Sequence, residues 1–511
     1  MDTDKKTISV VGLDGLGRQY LAKMINSGEM PYLKHIVENA DVNTNIYCFP
    51  PSTPSSWPSL MSGVNLGKHG IYDFLKYSNG KIRLFNALDL GHPRIHEMMA
   101  MLKQPVLMIN PVHSYPIIPV SNTMHVISLT FFTPKPVVYP SYLRKYIENY
   151  KQYTYKSLNE FFENYISDLE YRLGVIEELT GKYNYRLIWV NFEVPDRLLH
   201  LASEQKRYNI LDKLVLKRER IIFRKLDKII KFLSNETDNV AIVSDHGFHC
   251  YNKRISINTI LYKHGFVKPA EKGLSTEAEE ELSKVLLKKN NPQKIIPADN
   301  PLIKIARKPI IKPVARLINN LYTKLTKKGI MIEFPDVDHT KSKAFLYSEL
   351  SFAIIINRKK YNGDPMRIVE IIKRYEGIKH VWLKDEIFSG PYLGELPDIY
   401  IYPDFDKGYY IVKPKIYDKI YESRPVLHHH PLGIFIMKDL NEYKLKHKII
   451  NNTAVASIIM GWLGIPLSSW IDDKELVARI FGGNVKYTDR YINLWNLNKR
   501  IFAARFFKSR K

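Results

Sequence analysis

Residues 7–15 read TISVVGLDG, a short run of β-branched and apolar residues that stops abruptly at Asp14 and Gly15. That is the pattern of a strand buried on both faces and feeding a loop. Two later runs repeat it: RLIWVN at 186–191 and NVAIVS at 239–244, each ending in polar residues. Between them lie helical patterns such as MPYLKHIVENA at 30–40, where Met30, Leu33 and Ile36 are spaced for one buried face. Buried strands separated by helices predict an α/β fold with a mostly parallel central sheet. PDIYIY at 397–402 and LGIFIM at 432–437 read as late strands rejoining that sheet.

The chain has 511 residues, enough for two to four domains at about 150 residues each. Hydrophobic residues are 45% and charged residues 25%, ordinary globular values that exclude global disorder and fibrous repeats. Cys48 and Cys250 are too few for a disulfide framework or a cysteine-built zinc module. The start, MDTDKKTISVVGLDG, has no apolar segment with a cleavage site, so a reducing cytoplasm is the expected compartment.

Charge is the unusual property. Lys plus Arg is 76 against 52 acidic residues, a net charge of +24 that favours anionic partners. Lys284–Lys328 holds twelve basic residues against Asp299 alone. The chain after Asp489 is also basic and carries Trp495, Phe502, Phe506 and Phe507. Both segments read first as solvated basic faces, and second as contacts to an anionic membrane surface or nucleic acid. The apolar run TAVASIIMGWLGIPLSSWI at 453–471 approaches membrane-spanning length, but Gly461, Gly464 and Pro466 interrupt it. It reads as a core helix followed by a turn.

The organisation follows from these shifts. Residues 1–250 form the first part of the catalytic α/β core, and 386–475 the second. Residues 251–385 hold most of the lysine-rich sequence and a helix-rich Glu/Lys stretch at 276–290, and read as a basic insertion or cap. Residues 476–511 form a basic C-terminal tail.

Ligands of open α/β sheets gather outside the carboxyl ends of the strands. Four strand patterns deliver metal-type side chains there: Asp14 after the first, Asp196 and His200 after 186–191, Asp245 and His246 after 239–244, and the triplet His428, His429 and His430 before 432–437. Asp196 and His200 are four apart, so on a helix both face one ion. Asp and His donors suit zinc, manganese or iron, and three of each would satisfy two ions able to clamp a phosphoryl group. In FPPSTPSSWPSLMSGVNLGKHG at 49–70, Ser52, Thr53, Ser55 and Ser56 precede a helical pattern. A hydroxyl there could meet a phosphate at a helix N-terminus or merely cap the helix; composition does not choose among the four. Gly12, Gly15 and Gly17 miss the G-x-G-x-x-G spacing of a dinucleotide site, and Asp14 among them would repel a pyrophosphate.

The chain resembles the alkaline phosphatase superfamily, specifically the type I phosphodiesterase/nucleotide pyrophosphatase branch and its predicted phosphohydrolase relatives. The motifs carrying the resemblance are VVGLDG, PPSTPSSWPSLMSGVNLGKHGIYDF, NFEVPDRLLH, IVSDHGF, GPYLGELPDIYI and HHHPLGIFI, in family order, with INPVHSYPIIPV resembling the phosphohydrolases. They cover about residues 7–250 and 385–470. The resemblance implies an alkaline phosphatase-like core with an inserted cap, acting as a two-metal phosphohydrolase. Thr53 would be the nucleophile, sharing one metal with Asp14, Asp245 and His246. Asp196, His200 and His429 would hold the second. Zinc is the first expectation and manganese the second. Attack would give a phosphoryl or nucleotidyl threonine, which water then releases.

Relatives that cleave nucleotides carry an asparagine near GIYDF, where this chain places Asp73. An extra carboxylate there puts nucleotide specificity in question. Asp73 and Lys68 are therefore the expected substrate contacts, with Lys68 supplying compensating charge. Trp57 reads as a core aromatic. The alternatives are a phosphomonoesterase or phosphomutase acting on a small phosphorylated metabolite, or a non-catalytic module that binds nucleic acid or membrane through the basic segments. The expected location is cytoplasmic, or peripheral at a membrane surface.

Overall fold

The computed structural model describes residues 5–78, 81–129, 135–150, 157–211, 217–270, 294–297, 330–333, 335–440 and 446–508. The run at 7–15 forms strand Ile8–Leu13, in the interior of a nine-stranded sheet. The strand order is Lys446–Asn451, Val42–Tyr47, Leu432–Met437, Asn239–Val243, Ile8–Leu13, Leu187–Phe192, Val106–Ile109, Met124–Ser128 and Val137–Tyr139. Ile8–Leu13 pairs in parallel with both neighbours. Only Leu432–Met437 and Val137–Tyr139 run antiparallel to the rest.

Both faces of the sheet's inner strands are covered, which is why Ile8–Leu13, Leu187–Phe192, Val106–Ile109 and Asn239–Val243 are buried throughout, whereas Val42–Tyr47 alternates. Val11 and Leu13 join one core cluster, packed under helices Arg18–Asn26, Pro31–Glu38, Leu158–Thr180 and Lys217–Glu236. Ile8 and Val10 point the other way, into a cluster with helices Thr53–Ser62, Ile95–Met101 and Ala454–Trp462. The last of these is the apolar run at 453–471, buried as a core helix. No helix among the described residues is long and apolar enough to cross a membrane.

The expectation for 397–402 is corrected. Strand Ile399–Pro403 does not rejoin the central sheet; it lies in a separate antiparallel sheet ordered Ala344–Leu346, Ala353–Ile356, Ile399–Pro403, Ile378–Leu383. An apolar run specifies burial, and here the burying partner is the local cluster of Phe345, Ile354, Ile399 and Ile401. Leu432–Met437 does rejoin the central sheet. A third sheet pairs Gly247–Ile255 with Tyr409–Ile411 and Tyr421–His430.

Apart from strand Lys294–Pro297, which pairs with Ile330–Glu333, the basic segment Lys284–Lys328 lies outside the described residues, as does the stretch at 276–290. Near the C-terminus, Arg490–Lys508 is a helix. Trp495 is fully buried there, and its indole and the Lys499 ammonium both donate to the Leu90 carbonyl, at 2.8 and 2.6 Å.

Candidate functional site

All of the metal-type residues expected at strand ends arrive at one end of the central sheet. Asp14 and Asp245 follow the carboxyl ends of parallel strands, and Asp196 opens helix Asp196–Glu204 after Leu187–Phe192. The triplet reaches the same end because Leu432–Met437 is antiparallel, so its beginning lies where its neighbours finish. Gly15, at φ +75, turns the chain so closely that a Cβ would sit 3.1 Å from the Asp196 backbone, and the Asp196 N–H donates to the Asp14 carbonyl at 2.9 Å.

Two sets of three side chains bring one donor atom each within 4.8 Å of one another: Asp14, Asp245 and His246, and Asp196, His246 and His429. The His429 Nε2 is 3.1 Å from Asp196 Oδ1, and His200 Nε2 is 2.9 Å from His429 Nε2 and 3.3 Å from Asp196 Oδ1. His246 sits between the sets, its Nε2 3.3 Å from Asp245 Oδ2 and 3.5 Å from Asp14 Oδ1. Its ring stacks on His429 with centroids 3.9 Å apart. The Thr53 Oγ1 lies 3.4 Å from Asp14 Oδ1 and 3.3 Å from His246 Nε2. Thr53 is the first residue of helix Thr53–Ser62, whereas the Ser52 and Ser55 hydroxyls bond each other and Ser56 bonds the Pro50 carbonyl. The structure thus brings only Thr53 of the four hydroxyls to the cluster.

The surroundings fit divalent cations. Asp245 Oδ2 is buried without a hydrogen bond, and buried Asp196 Oδ1 faces the Nε2 atoms of His429 and His200. The His246 Nδ1–H donates to the Gly247 carbonyl at 3.0 Å and the His429 Nδ1–H to the Pro51 carbonyl at 2.8 Å. Each bond fixes the tautomer that leaves Nε2 as a lone pair facing the cluster. Burial, then the charges of Asp245 and Asp196, pushes the Asp14 carboxyl well above the usual range. Burial raises Asp245 in the same way and pushes the His246 imidazole down. Burial works against the Asp196 carboxylate too, but His200 and His429 bring it well below the usual range. Three buried carboxylates this close, beside bare imidazole nitrogens, are the donor set of hard-to-borderline metal ions.

The profile of the type I phosphodiesterase / nucleotide pyrophosphatase family matches residues 9–430, a span that includes every residue of this cluster. The chain belongs to that family. Within the alkaline phosphatase superfamily, the fold is similar to a phosphonoacetate hydrolase from Sinorhizobium meliloti 1021 (13% identity, 90% of this chain and 96% of that one, TM-score 0.54). It is also similar to the alkaline phosphatase PafA (10% identity, 91% and 96% covered, TM-score 0.50). No curated protein matches the chain. As a type I phosphodiesterase family member with this fold, the protein is a metal-dependent phosphohydrolase.

Within this family member several supporting contacts were not foreseen from sequence. Trp57, read as a core aromatic, is fully buried but donates its indole N–H to Asp14 Oδ2 at 3.0 Å, turning Oδ1 toward Thr53. Gly12 makes room for it: a Cβ there would lie 2.7 Å from the Trp57 ring and 2.1 Å from Asn191 Oδ1. Pro58 lies inside the Thr53 helix and has no N–H for the Pro54 carbonyl four residues back. His113 supplies the missing donor, its Nε2 3.1 Å from that carbonyl. The signal was present in INPVHSYPIIPV, but only as a resemblance.

Lys68, expected as a substrate contact, is placed at helix Leu66–His69. Its ammonium pairs with Asp472 and donates to the Trp470 carbonyl at 2.8 Å, so its charge is committed away from the cluster. Of the triplet, only His429 joins the cluster. His428 Nδ1 accepts from the His429 N–H, and His430 Nδ1 from the Leu432 N–H. Asp73 is buried, and its Oδ1 accepts from the Phe74 and Leu75 N–H groups at 2.6 and 3.4 Å.

These pKa directions carry a testable sign. Without metal, folded Asp14 and Asp245 hold protons above the unfolded carboxylate pKa of about 3.9, so the native state binds more protons than the unfolded chain. Their contribution therefore falls as pH rises from that value through the raised pKa. Asp196, displaced downward, adds a slope of opposite sign only near the unfolded carboxylate pKa and none once the unfolded carboxylate is ionised. A divalent cation relieves the repulsion, and at a hundredfold excess over its dissociation constant it adds about 2.7 kcal/mol. Melting curves of chelator-stripped and zinc- or manganese-loaded protein should show a gap that is wide at pH 8 and narrow near pH 5. A gap independent of pH would contradict the assignment.

Proposed function

We propose that the protein is a phosphodiesterase in which Thr53 is the nucleophile. Asp14, Asp245 and His246 would hold one divalent ion, and Asp196, His200 and His429 a second. The observation that carries this reading is the placement of the Thr53 hydroxyl within 3.4 Å of both an Asp14 oxygen and His246 Nε2, at the end of the sheet where all the other donors converge. When bound, such a metal pair lowers the hydroxyl pKa and offsets charge on the phosphoryl oxygens. The chain's own part is orientation. Trp57 fixes Asp14, the Pro51 carbonyl fixes His429, and the helix start places Thr53 beside them. Attack joins Thr53 Oγ1 to phosphorus and the alcohol departs with the threonine proton; water then attacks phosphorus in the alcohol's place, the bond to Oγ1 breaks, and a water proton returns to Thr53. The mixed Asp and His donors support zinc first and manganese second.

A cytoplasmic location is part of the same proposal, supported by a cysteine content too low for a disulfide framework. The test compares bis-p-nitrophenyl phosphate with p-nitrophenyl phosphate on zinc- or manganese-loaded protein before and after chelation. The expected result is faster turnover of the diester, lost on chelation and restored by metal. A preference for the monoester would replace this reading with a phosphomonoesterase or phosphomutase.

A further inference from the structure

Helix Arg490–Lys508 is held to the body of the protein by one face. Tyr491 and Trp495 are fully buried, the Tyr491 hydroxyl donates to the Pro466 carbonyl at 2.7 Å, and Trp495 and Lys499 both donate to the Leu90 carbonyl. Phe502, two turns beyond Trp495, packs on the cluster of Leu66, Tyr72, Phe85 and Leu90. These contacts fix the rotation of the helix about its own axis, and so fix which side chains it shows to solvent.

The outward face is not a polar one. Leu497 is 53% and Ile501 43% exposed, and Ala504 is exposed beside them. At 3.6 residues per turn the three form one stripe about 60° wide. Arg500 and Arg505, also exposed, lie on opposite flanks of that stripe, and exposed Arg490 stands at its head. From Arg490 to Lys511 the chain has seven basic residues and no acid. Single exposed apolar side chains are ordinary. Here, however, the exposed Leu and Ile side chains among the described residues are Ile449, Leu497 and Ile501, and two of these three sit one turn apart on this helix.

We infer that this face seats the protein on an anionic phospholipid surface, with Leu497 and Ile501 entering the acyl boundary and Arg490, Arg500 and Arg505 at the headgroup phosphates. The inference goes beyond the phosphodiesterase reading and does not depend on it. A helix lying in the plane of an interface needs an apolar stripe bordered by basic residues, and the long arginine stem keeps its methylenes with the apolar layer while the guanidinium reaches phosphate. An anionic leaflet supplies the opposite charge. A second copy of the chain fits less well. Pairing this face with itself opposes arginine to arginine, and one helix face falls short of the roughly 1,200 Å² that a stable interface buries. A nucleic acid would meet the arginines but offers no apolar layer to two aliphatic side chains, and the helix's Tyr491 and Trp495 rings are buried rather than free to stack on bases.

The test is co-sedimentation of the full-length protein with vesicles of phosphatidylcholine alone and of phosphatidylcholine with about 30% phosphatidylglycerol. The anionic vesicles should bind about tenfold more tightly or better. Leu497→Gln with Ile501→Gln should weaken that binding by about tenfold or more, and Arg500→Gln with Arg505→Gln by about tenfold. All four side chains are exposed, so both double variants should keep the wild-type melting temperature. Equal binding to neutral vesicles, binding to neither, or binding that neither variant weakens would overturn the assignment. So would a single strand of about 30 nucleotides that binds more tightly than the anionic vesicles and is lost with the arginines but not with Leu497 and Ile501, since the face would then serve nucleic acid. A doubling of mass with concentration, abolished by Leu497→Gln with Ile501→Gln, would give the face to a second copy of the chain instead.

Discussion

Thr53→Ala is expected to lower kcat/KM for bis-p-nitrophenyl phosphate by about ten-thousandfold, with little change in the melting temperature. The size follows from what the hydroxyl does in this reading. It forms the bond to phosphorus, and removing a nucleophile leaves only the electrostatic remainder of the site. The small structural effect follows from the packing. Thr53 is at the first position of its helix, its Oγ1 makes only the long contacts to Asp14 and His246, and the helix is anchored through Ser55, Ser56, Trp57 and Ser59. Thr53→Ser keeps the nucleophilic oxygen but frees its rotamer, so it should fall between wild type and alanine. Acid quenching during turnover, followed by peptide mass analysis, should find phosphate on the Thr53 peptide in wild type and none in Thr53→Ala. An alanine variant retaining a tenth of the activity would mean that water, or another hydroxyl, attacks directly.

The parts of the site legible in sequence are those whose position follows from a strand end. Asp14, Asp196 and Asp245 were locatable because an apolar run that stops at a polar residue marks both the strand and the end at which ligands gather. Thr53 was not separable from Ser52, Ser55 and Ser56 by composition, because a helix pattern is blurred by one or two residues at its start. What separates them is a hydrogen-bond network closing the other three onto the backbone and each other. The ion pair of Lys68 was not legible for a different reason. Its partner Asp472 is 404 residues away, and no local pattern reports such a pair. The strand at 399–403 carries the same limitation: an apolar run states that it is buried, not which sheet buries it. The role of His113 required two observations at once, a proline in mid-helix and a histidine on another loop to serve the carbonyl that proline leaves.

Long-range pairing also underlies the largest stability effect expected of a side chain outside the cluster. Arg172 on helix Leu158–Thr180 is 1% exposed and pairs with Asp168 at 2.5 Å and Glu193 at 3.0 Å, while its Nη1 donates to the Asn191 carbonyl at 3.3 Å. Tyr150 donates to Asp168 at 2.7 Å, so the network is tied at several points. Arg172→Met keeps most of the volume but strands two buried carboxylates, and should destabilise the protein by about 3–5 kcal/mol, read as a fall in the denaturant midpoint. Arg172→Lys should recover only part, because one ammonium cannot reproduce the fork that reaches two carboxylates and a carbonyl. The consequence extends to the site. Glu193 lies between strand Leu187–Phe192 and helix Asp196–Glu204, and its carbonyl accepts from the Arg197 N–H at 2.9 Å. Loosening Glu193 therefore loosens Asp196, and metal affinity should drop in those Arg172 variants that still fold. Adding Asp168→Asn and Glu193→Gln to Arg172→Met removes the stranded charges and should restore much of the stability without restoring the metal affinity. If the triple variant is no more stable than Arg172→Met alone, lost packing rather than uncompensated charge is the cause, and the electrostatic account of this network fails.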